Sequence, residues 1–302
     1  MTRQLKADLS ILSITVIWGS SFIIMKNISE DIPAYAYLAM RFLVAATIMA
    51  IIFHKHLKGM KFSDIMRGSL IGLMLYAGMM LQVLGLKTTT ASNSAFITGL
   101  NVVMVPIISV LLLKKRPPIN AVIGVFLAAL GLFFIAGFQG NWVIGDTLTL
   151  ICALCFALQI IFIDKYASDM NIYQLAFIQV ASAAVLYLLT WVVYTGTTAN
   201  TTPIVFNSRI ILTILFTGAM GTALGYGVQT IAQKYTTPTR TALLLTCEPV
   251  FGAVFALIVP DIHGNTETLT IQTILGSLLI LSGMLITEIK FKSKRGKLHK
   301  LS

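Results

Sequence analysis

The chain writes one pattern twice, and each copy holds an odd number of apolar stretches. Five such stretches run through the first half and five through the second, with landmarks in the same order. Gln82-Val83-Leu84-Gly85-Leu86-Lys87-Thr88-Thr89-Thr90 is echoed by Gln229-Thr230-Ile231-Ala232-Gln233-Lys234-Tyr235-Thr236-Thr237. The pairs Gln82/Gln229, Lys87/Lys234, Thr89/Thr236 and Thr90/Thr237 share one offset, and Gly124/Gly276 and Gly131/Gly283 follow with a slightly larger one, as a loop insertion gives. Asp8 and Asp146 open the first stretch of each half. A chain that crosses a bilayer five times finishes on the far side, so a second copy of the same pattern enters upside down.

Composition requires the bilayer. Apolar residues are 57% of the chain, charged residues 11%, and the mean hydropathy is +0.87; soluble domains carry about 25% charged residues. A spanning helix needs about 20 mostly apolar residues. Ten segments qualify: 8–26, 34–53, 68–86, 93–113, 119–137, 145–163, 172–194, 209–232, 240–259 and 269–289. They lack the period-two alternation of a barrel wall. The longest connections, 54–67 and 195–208, are too short for a soluble domain. The fold expected is an all-α polytopic membrane protein, with ten transmembrane helices arranged as two inverted five-helix repeats. The first repeat is 8–137, the second 145–289, and a basic tail follows at 290–302.

The basic residues orient this topology, because cytoplasmic loops collect Lys and Arg. With the N-terminus in the cytoplasm, the inner side holds Arg3 and Lys6, the group Lys55, Lys58, Lys61 and Arg67, the run Lys114-Lys115-Arg116, Lys165, Lys234, Arg240 and the tail from Lys290 to Lys300. The exceptions are Lys26, Lys87 and Arg209 near outer ends, and Arg41 within a span. Outer loops are acidic or neutral, with Glu30, Asp31, Asp261 and Glu267. Both termini are therefore expected in the cytoplasm. This also accounts for the net charge of +11 without a nucleic-acid partner. The tail can hold anionic headgroups or serve only as a topology signal. Cys152, Cys155 and Cys247 lie inside spans, where they act as small polarizable residues rather than a disulfide framework.

Catalytic signatures are missing: no zincin motif, P-loop or G-x-S-x-G elbow occurs. His54, His56, His263 and His299 all fall in loops or the tail, so no metal or other cofactor is expected. Away from span ends, the full charges within spans are Arg41 and Glu248. A charge at the centre of a spanning helix costs at least about 2.5–3.5 kcal/mol, which makes each a functional candidate. Glu248 is the ninth residue of its span, about 12 Å from the cytoplasmic end. It can be protonated, which avoids burying a bare charge, it can pair with a protein cation, or it can meet a cationic substrate group. A structural carboxylate bonded to a neighbouring helix is the plainer alternative, although Gln would do that at lower cost. Pro249 follows directly and removes a backbone donor, freeing a carbonyl near Leu245. Asn101 occupies the equivalent position in the first half, with Pro106 a little further on. Paired interruptions of this kind mark binding sites between inverted repeats. Arg41 lies about 10 Å below the outer surface. Snorkelling to that surface is favoured slightly over binding a substrate carboxylate. Gln179 is its counterpart.

Softer candidates are Trp18, within Trp18-Gly19-Ser20-Ser21 and opposite Phe156, Ala157, Leu158 and Gln159 in the repeat; Tyr76 and Tyr226, which can stack on a planar or cationic ligand; and Gln82 with Gln229, kept by both halves. Packing is the default for the Gly68/Gly72 and Gly221/Gly225 pairs. The five-plus-five pattern, Trp18-Gly19, the Gln-x(4)-Lys-x-Thr-Thr runs before the fourth and ninth spans, and Glu248-Pro249 together resemble the EamA family of the drug/metabolite transporter superfamily. The resemblance covers about 8–288. It implies ten helices around a central cavity, alternating access, and frequent export of amino acids or related metabolites across a bacterial inner membrane. Asn101-Val102 stands where the second half has Glu248-Pro249, so an acidic site is one-sided.

The function expected is a secondary transporter of a small polar or zwitterionic metabolite, proton-coupled and working as an exporter, in which Glu248 couples and Asn101, Gln82, Gln229, Trp18, Tyr76 and Tyr226 line the cavity. A facilitator of the same fold, with Glu248 structural, is the alternative. A lipid-modifying enzyme ranks far behind, since Asp64, Asp164 and Asp169 are scattered. The expected partners are a small-molecule substrate and the lipid bilayer, with the chain a monomer or homodimer.

Overall fold

A backbone in hydrocarbon has no water to bond to, so it must satisfy its own N–H and C=O groups. All regular structure among the described residues is accordingly helical. The computed structural model describes residues 2–28, 31–89, 91–136, 142–197, 204, 206–259 and 270–288; the basic tail lies outside them. The helices are α1 (Arg3–Ile28), α2 (Ala34–Phe53), α3 (Phe62–Gly85), α4 (Ala91–Gly99), α5 (Asn101–Ile108), α6 (Ile119–Ala136), α7 (Ile144–Tyr166), α8 (Ile172–Thr197), α9 (Ser208–Phe216), α10 (Gly225–Gln233), α11 (Pro238–Leu245), α12 (Glu248–Ala256) and α13 (Ile271–Glu288). Wide π-type turns at Ser109–Leu113 and Thr217–Leu224 extend α5 and join α9 to α10. Among the described residues six stretches are long and apolar enough to cross a membrane: Ala34–Phe53, Phe62–Gly85, Phe96–Leu113, Ile144–Tyr166, Ile172–Thr197 and Ser208–Gln233. Ile119–Ile135 and Ile271–Thr287 are shorter apolar helices. The chain is a polytopic helical membrane protein.

Helix ends follow local chemistry. The Asp64 carboxylate accepts from the Lys61 N–H and starts α3 at Phe62, six residues before the apolar run predicts. The connection after α2 is correspondingly shorter than expected. Asn207 caps α9 by accepting from the Ile210 N–H, and Thr237 caps α11 with Pro238 in its first turn. The interruption before Glu248 falls at Thr246 and Cys247, just upstream of Pro249 as anticipated. Its first-half counterpart differs from expectation. Pro106 lies inside α5, and the tight turn comes at Leu100, directly before Asn101. The discontinuity lies six residues ahead of Pro106, upstream of the Val102 carbonyl that the proline ring would crowd.

Packing depends on small residues, since lipid tails offer no hydrophobic incentive for helices to associate. α6 and α13 run antiparallel along a glycine seam. A Cβ built on Gly124 would meet the Gly283 carbonyl oxygen at 2.6 Å, and one on Gly131 would meet that of Gly276 at 2.5 Å. Similar approaches set Gly19 of α1 against Gly252 of α12, and Gly72 of α3 against the Gln179 carbonyl of α8. Between these seams sit Phe42 and Tyr187, fully buried with ring centroids 4.9 Å apart, joined by Tyr226 and Tyr76.

The seam predicts a directional result. Gly131→Ala should cost about 1–3 kcal/mol by overpacking. Gly196→Ala, where nothing lies within 4 Å of the new methyl, should be neutral or slightly stabilising. Thermal unfolding in detergent separates them, and equal melting temperatures would remove the structural role given to Gly131.

Candidate functional site

Where the helix interruptions meet, the bundle encloses a cavity of about 80 Å³, lined among others by Trp18, Arg41, Gln82, Asn101, Tyr226, Gln229, Glu248 and Pro249. At about 10–15 Å³ per water, this is room for several waters. Its walls come from both halves at equivalent sequence positions. Trp18 and Phe156 line it together, as do Ser21 and Gln159, Met79 and Tyr226, Gln82 and Gln229, Thr98 and Leu245, Gly99 and Thr246, and Asn101 and Glu248.

Glu248 opens α12 and Asn101 opens α5, so both sit at the start of a second half-helix. The Glu248 carboxylate makes no hydrogen bond or ion pair to another described residue. Asn101 is 9% exposed and its Oδ1 has no partner among the described residues. Leu245 lines the cavity, and its carbonyl lacks a donor four residues on because Pro249 has no N–H. This end of the cavity is therefore rich in oxygen acceptors. Gln229 adds another, its buried Oε1 likewise without a partner.

Arg41 supplies the opposite charge. It is 2% exposed and does not reach the surface, so the snorkelling alternative fails. Its Nε donates to Thr222 Oγ1 at 2.7 Å and its Nη1 to the Tyr37 hydroxyl at 3.4 Å. The Tyr37 hydroxyl donates in turn to Thr217 Oγ1 at 3.0 Å. Thr217 and Thr222 face the same way because the π-type turn is wider than an α-turn; Thr222 Oγ1 donates to the Thr217 carbonyl five residues back. Such turns often occur at functional sites. The same segment holds Trp18, whose Nε1 donates to the Gly221 carbonyl at 2.7 Å. The Trp18 ring lies 5.2 Å from that of Tyr226, and its indole fills the space a side chain at Gly225 would need.

Behind the cavity runs a buried amide network. Gln229 Nε2 donates to Gln159 Oε1 and to Gln233 Oε1, both at 3.2 Å. Gln159 Nε2 donates to Gln179 Oε1 at 3.1 Å, and Gln179 Nε2 to Thr230 Oγ1 at 2.5 Å. Gln82 Nε2 donates to Thr98 Oγ1 at 3.3 Å. Two sequence candidates stand apart from the cavity. Tyr76 hydrogen-bonds Thr190 at 2.7 Å and its carbonyl accepts from Tyr187, so it belongs to the aromatic core. Pro106 lies further along α5. Conversely, Phe156, Gln159, Ser21 and Thr98 line the cavity without having been singled out. The signal that finds the first three was present: Phe156 is the repeat counterpart of Trp18, Ser21 lies three residues beyond Trp18, and Gln159 is the counterpart of Ser21.

The chain matches the model of the EamA-like transporter family over residues 5–137 and again over 143–289. It is 34% identical over 288 residues, 95% of this chain and 87% of the relative, to a protein of Archaeoglobus fulgidus named an uncharacterized transporter. It is 21% identical to the uncharacterized transporter YoaV of Bacillus subtilis, covering 97% of this chain and all of that one. A solved crystal structure superposes with a TM-score of 0.76 at 14% identity, covering 93% of this chain and 96% of the other, which shows a shared fold.

The Arg41 anchorage can be tested alone. Thr222→Val keeps the side-chain volume but removes the acceptor for Nε. A melting-temperature loss equivalent to about 1–3 kcal/mol is expected, and an unchanged melting temperature would show that Thr222 does not hold the guanidinium.

Proposed function

As the chain belongs to the EamA-like transporter family, we propose that it is a proton-coupled secondary carrier that exports a small polar or zwitterionic metabolite, such as an amino acid, by alternating access. One observation carries this reading: an acid without a protein partner among the described residues faces a mid-bundle cavity that also contains a buried guanidinium. The Arg41 guanidinium on the same wall eases the burial of this charge without an ion pair to it, and a proton or a cation entering the cavity can complete the neutralisation. Proton and substrate ammonium therefore compete for Glu248, with Asn101 Oδ1 as a second acceptor, while Arg41 meets the substrate carboxylate. Trp18, Phe156 and Tyr226 supply apolar and cation-binding faces, and Gln82 and Gln229 complete the polar wall.

The carrier is built as two inverted five-helix repeats forming ten spans, with both tails in the cytoplasm of a bacterial cell. The glycine seam supports the inversion. Gly124 pairs with Gly283 and Gly131 with Gly276, while the sequence repeat equates Gly124 with Gly276 and Gly131 with Gly283; exchanging the halves turns one contact into the other. Paired cavity positions follow the same exchange. The basic loops support the orientation.

Two measurements test this. In proteoliposomes, Glu248→Gln should abolish flux driven by a pH gradient while leaving the protein folded; coupling kept in full would remove the role of Glu248, and wild-type flux indifferent to the gradient would favour a facilitator. Labelling of both tails should occur from one face, and tails on opposite faces would break the inverted arrangement.

A further inference from the structure

Two buried aspartates sit at opposite ends of the bundle, and each reaches across to the other half. Asp8, near the start of α1 and 4% exposed, accepts from Thr236 Oγ1 at 2.8 Å through Oδ1 and from Arg240 Nε at 2.9 Å through Oδ2. Thr236 lies in the turn between α10 and α11, and Arg240 in the first turn of α11. Asp146, near the start of α7 and 3% exposed, accepts from Thr89 Oγ1, in the turn between α3 and α4. Asp8 is the repeat counterpart of Asp146, and Thr236 that of Thr89. The backbones close in beside each bond: Gly85 and Gly145 touch at one end, and their counterparts Ala232 and Ala7 are buried at the other. We propose that Asp8 with Thr236 and Arg240, and Asp146 with Thr89, are the inner and outer latches of the transport cycle, holding shut the two mouths of the cavity. The proposal rests on the inverted-carrier reading. Both turns sit directly ahead of the half-helices, α4 and α11, that lead to Asn101 and Glu248. Releasing a latch frees the mobile end of the element that carries the site residue, so these are positioning residues rather than substrate contacts.

The latches are unequal. Asp8 gives both oxygens to the other half, one of them to a guanidinium, and charge-assisted bonds are the stronger kind. Asp146 gives one oxygen to Thr89 and spends the other on the Val143 N–H at 2.9 Å, capping its own helix. The counterpart of Arg240 is Asn93, which has no charge. The inner closure is therefore the firmer one, and the resting protein opens more readily to the outside.

A thiol placed on the cavity wall by Ser21→Cys reports which mouth is open, using a membrane-impermeant maleimide on right-side-out and inside-out vesicles. The parent chain, whose three cysteines are buried, sets the background. The reporter alone should label faster from outside. Asp8→Asn, or Arg240→Gln should the first not fold, should raise labelling from the cytoplasmic face by on the order of tenfold, the population shift expected from losing one charged hydrogen bond. Asp146→Asn, or Thr89→Val, should raise it from the outer face. Inner and outer variants moving labelling in the same direction, or neither moving it, would overturn the proposal, and equal resting rates from the two faces would overturn the ranking. No substrate or gradient is needed, so this experiment can fail while the Glu248 flux assay succeeds, and the reverse.

Discussion

Inside hydrocarbon a polar side chain has no water to fall back on, and an unmet donor or acceptor there costs about 1–3 kcal/mol or more. The bundle meets that demand almost everywhere. Arg41 rests on Thr222 and Tyr37, Tyr37 on Thr217, and Gln159, Gln179, Gln229 and Gln233 bond one another in a chain. Among the described residues four buried side-chain atoms lack a partner: Ser94 Oγ and its repeat counterpart Thr241 Oγ1, away from the cavity, and Asn101 Oδ1 and Gln229 Oε1, which line the cavity with Glu248. Two unpaired amide oxygens on one cavity wall are acceptors for a guest that carries donors.

Satisfying so many polar groups requires the helices to come close, and that depends on residues without side chains. Gly218 and Gly221 let the π-type turn lie against Arg41, Gly225 admits the Trp18 indole, and Gly19 presses on the backbone of Gly252 beside Glu248. The wide turn matters as much. With α-helical spacing, Thr217 and Thr222 would point to different sides, and Arg41 would lose the support of Thr222. Packing and polarity are thus one problem: glycine permits the approach, and the approach places the acceptor.

How much of this was legible depended on whether a residue acts locally or through a neighbour. The helical bundle followed from composition and span length. The cavity residues Trp18, Gln82, Asn101, Gln229 and Glu248 followed from asking which polar or aromatic positions recur in both halves or sit beside a proline. Arg41 was misjudged because depth along a helix says nothing about a hydroxyl 181 residues away, and the π-type turn that presents Thr222 has no hydrophobic periodicity to reveal it. Tyr76 failed for the opposite reason. A tyrosine inside a span reads the same whether its hydroxyl faces a cavity or bonds Thr190. Pro106 marked the right span, but the turn that yields is the one ahead of it, at Leu100.

In the inverted carrier proposed above, a two-fold frame by itself cannot move anything in a preferred direction, because exchanging the halves exchanges inside for outside. Direction has to come from positions where the halves disagree, and three of these differ in charge next to the cavity or its proposed closures: Glu248 against Asn101, Arg41 against Gln179, and Arg240 against Asn93. The first two set charge into the cavity from single halves, so a zwitterion of the kind proposed would bind between them in one orientation. The third bears on the closure around Asp8. Each places a charge in one half where the other carries a neutral amide. In the proposed cycle the matched glycines and paired wall residues would make two mouths geometrically alike, and the three charged substitutions would make them energetically different.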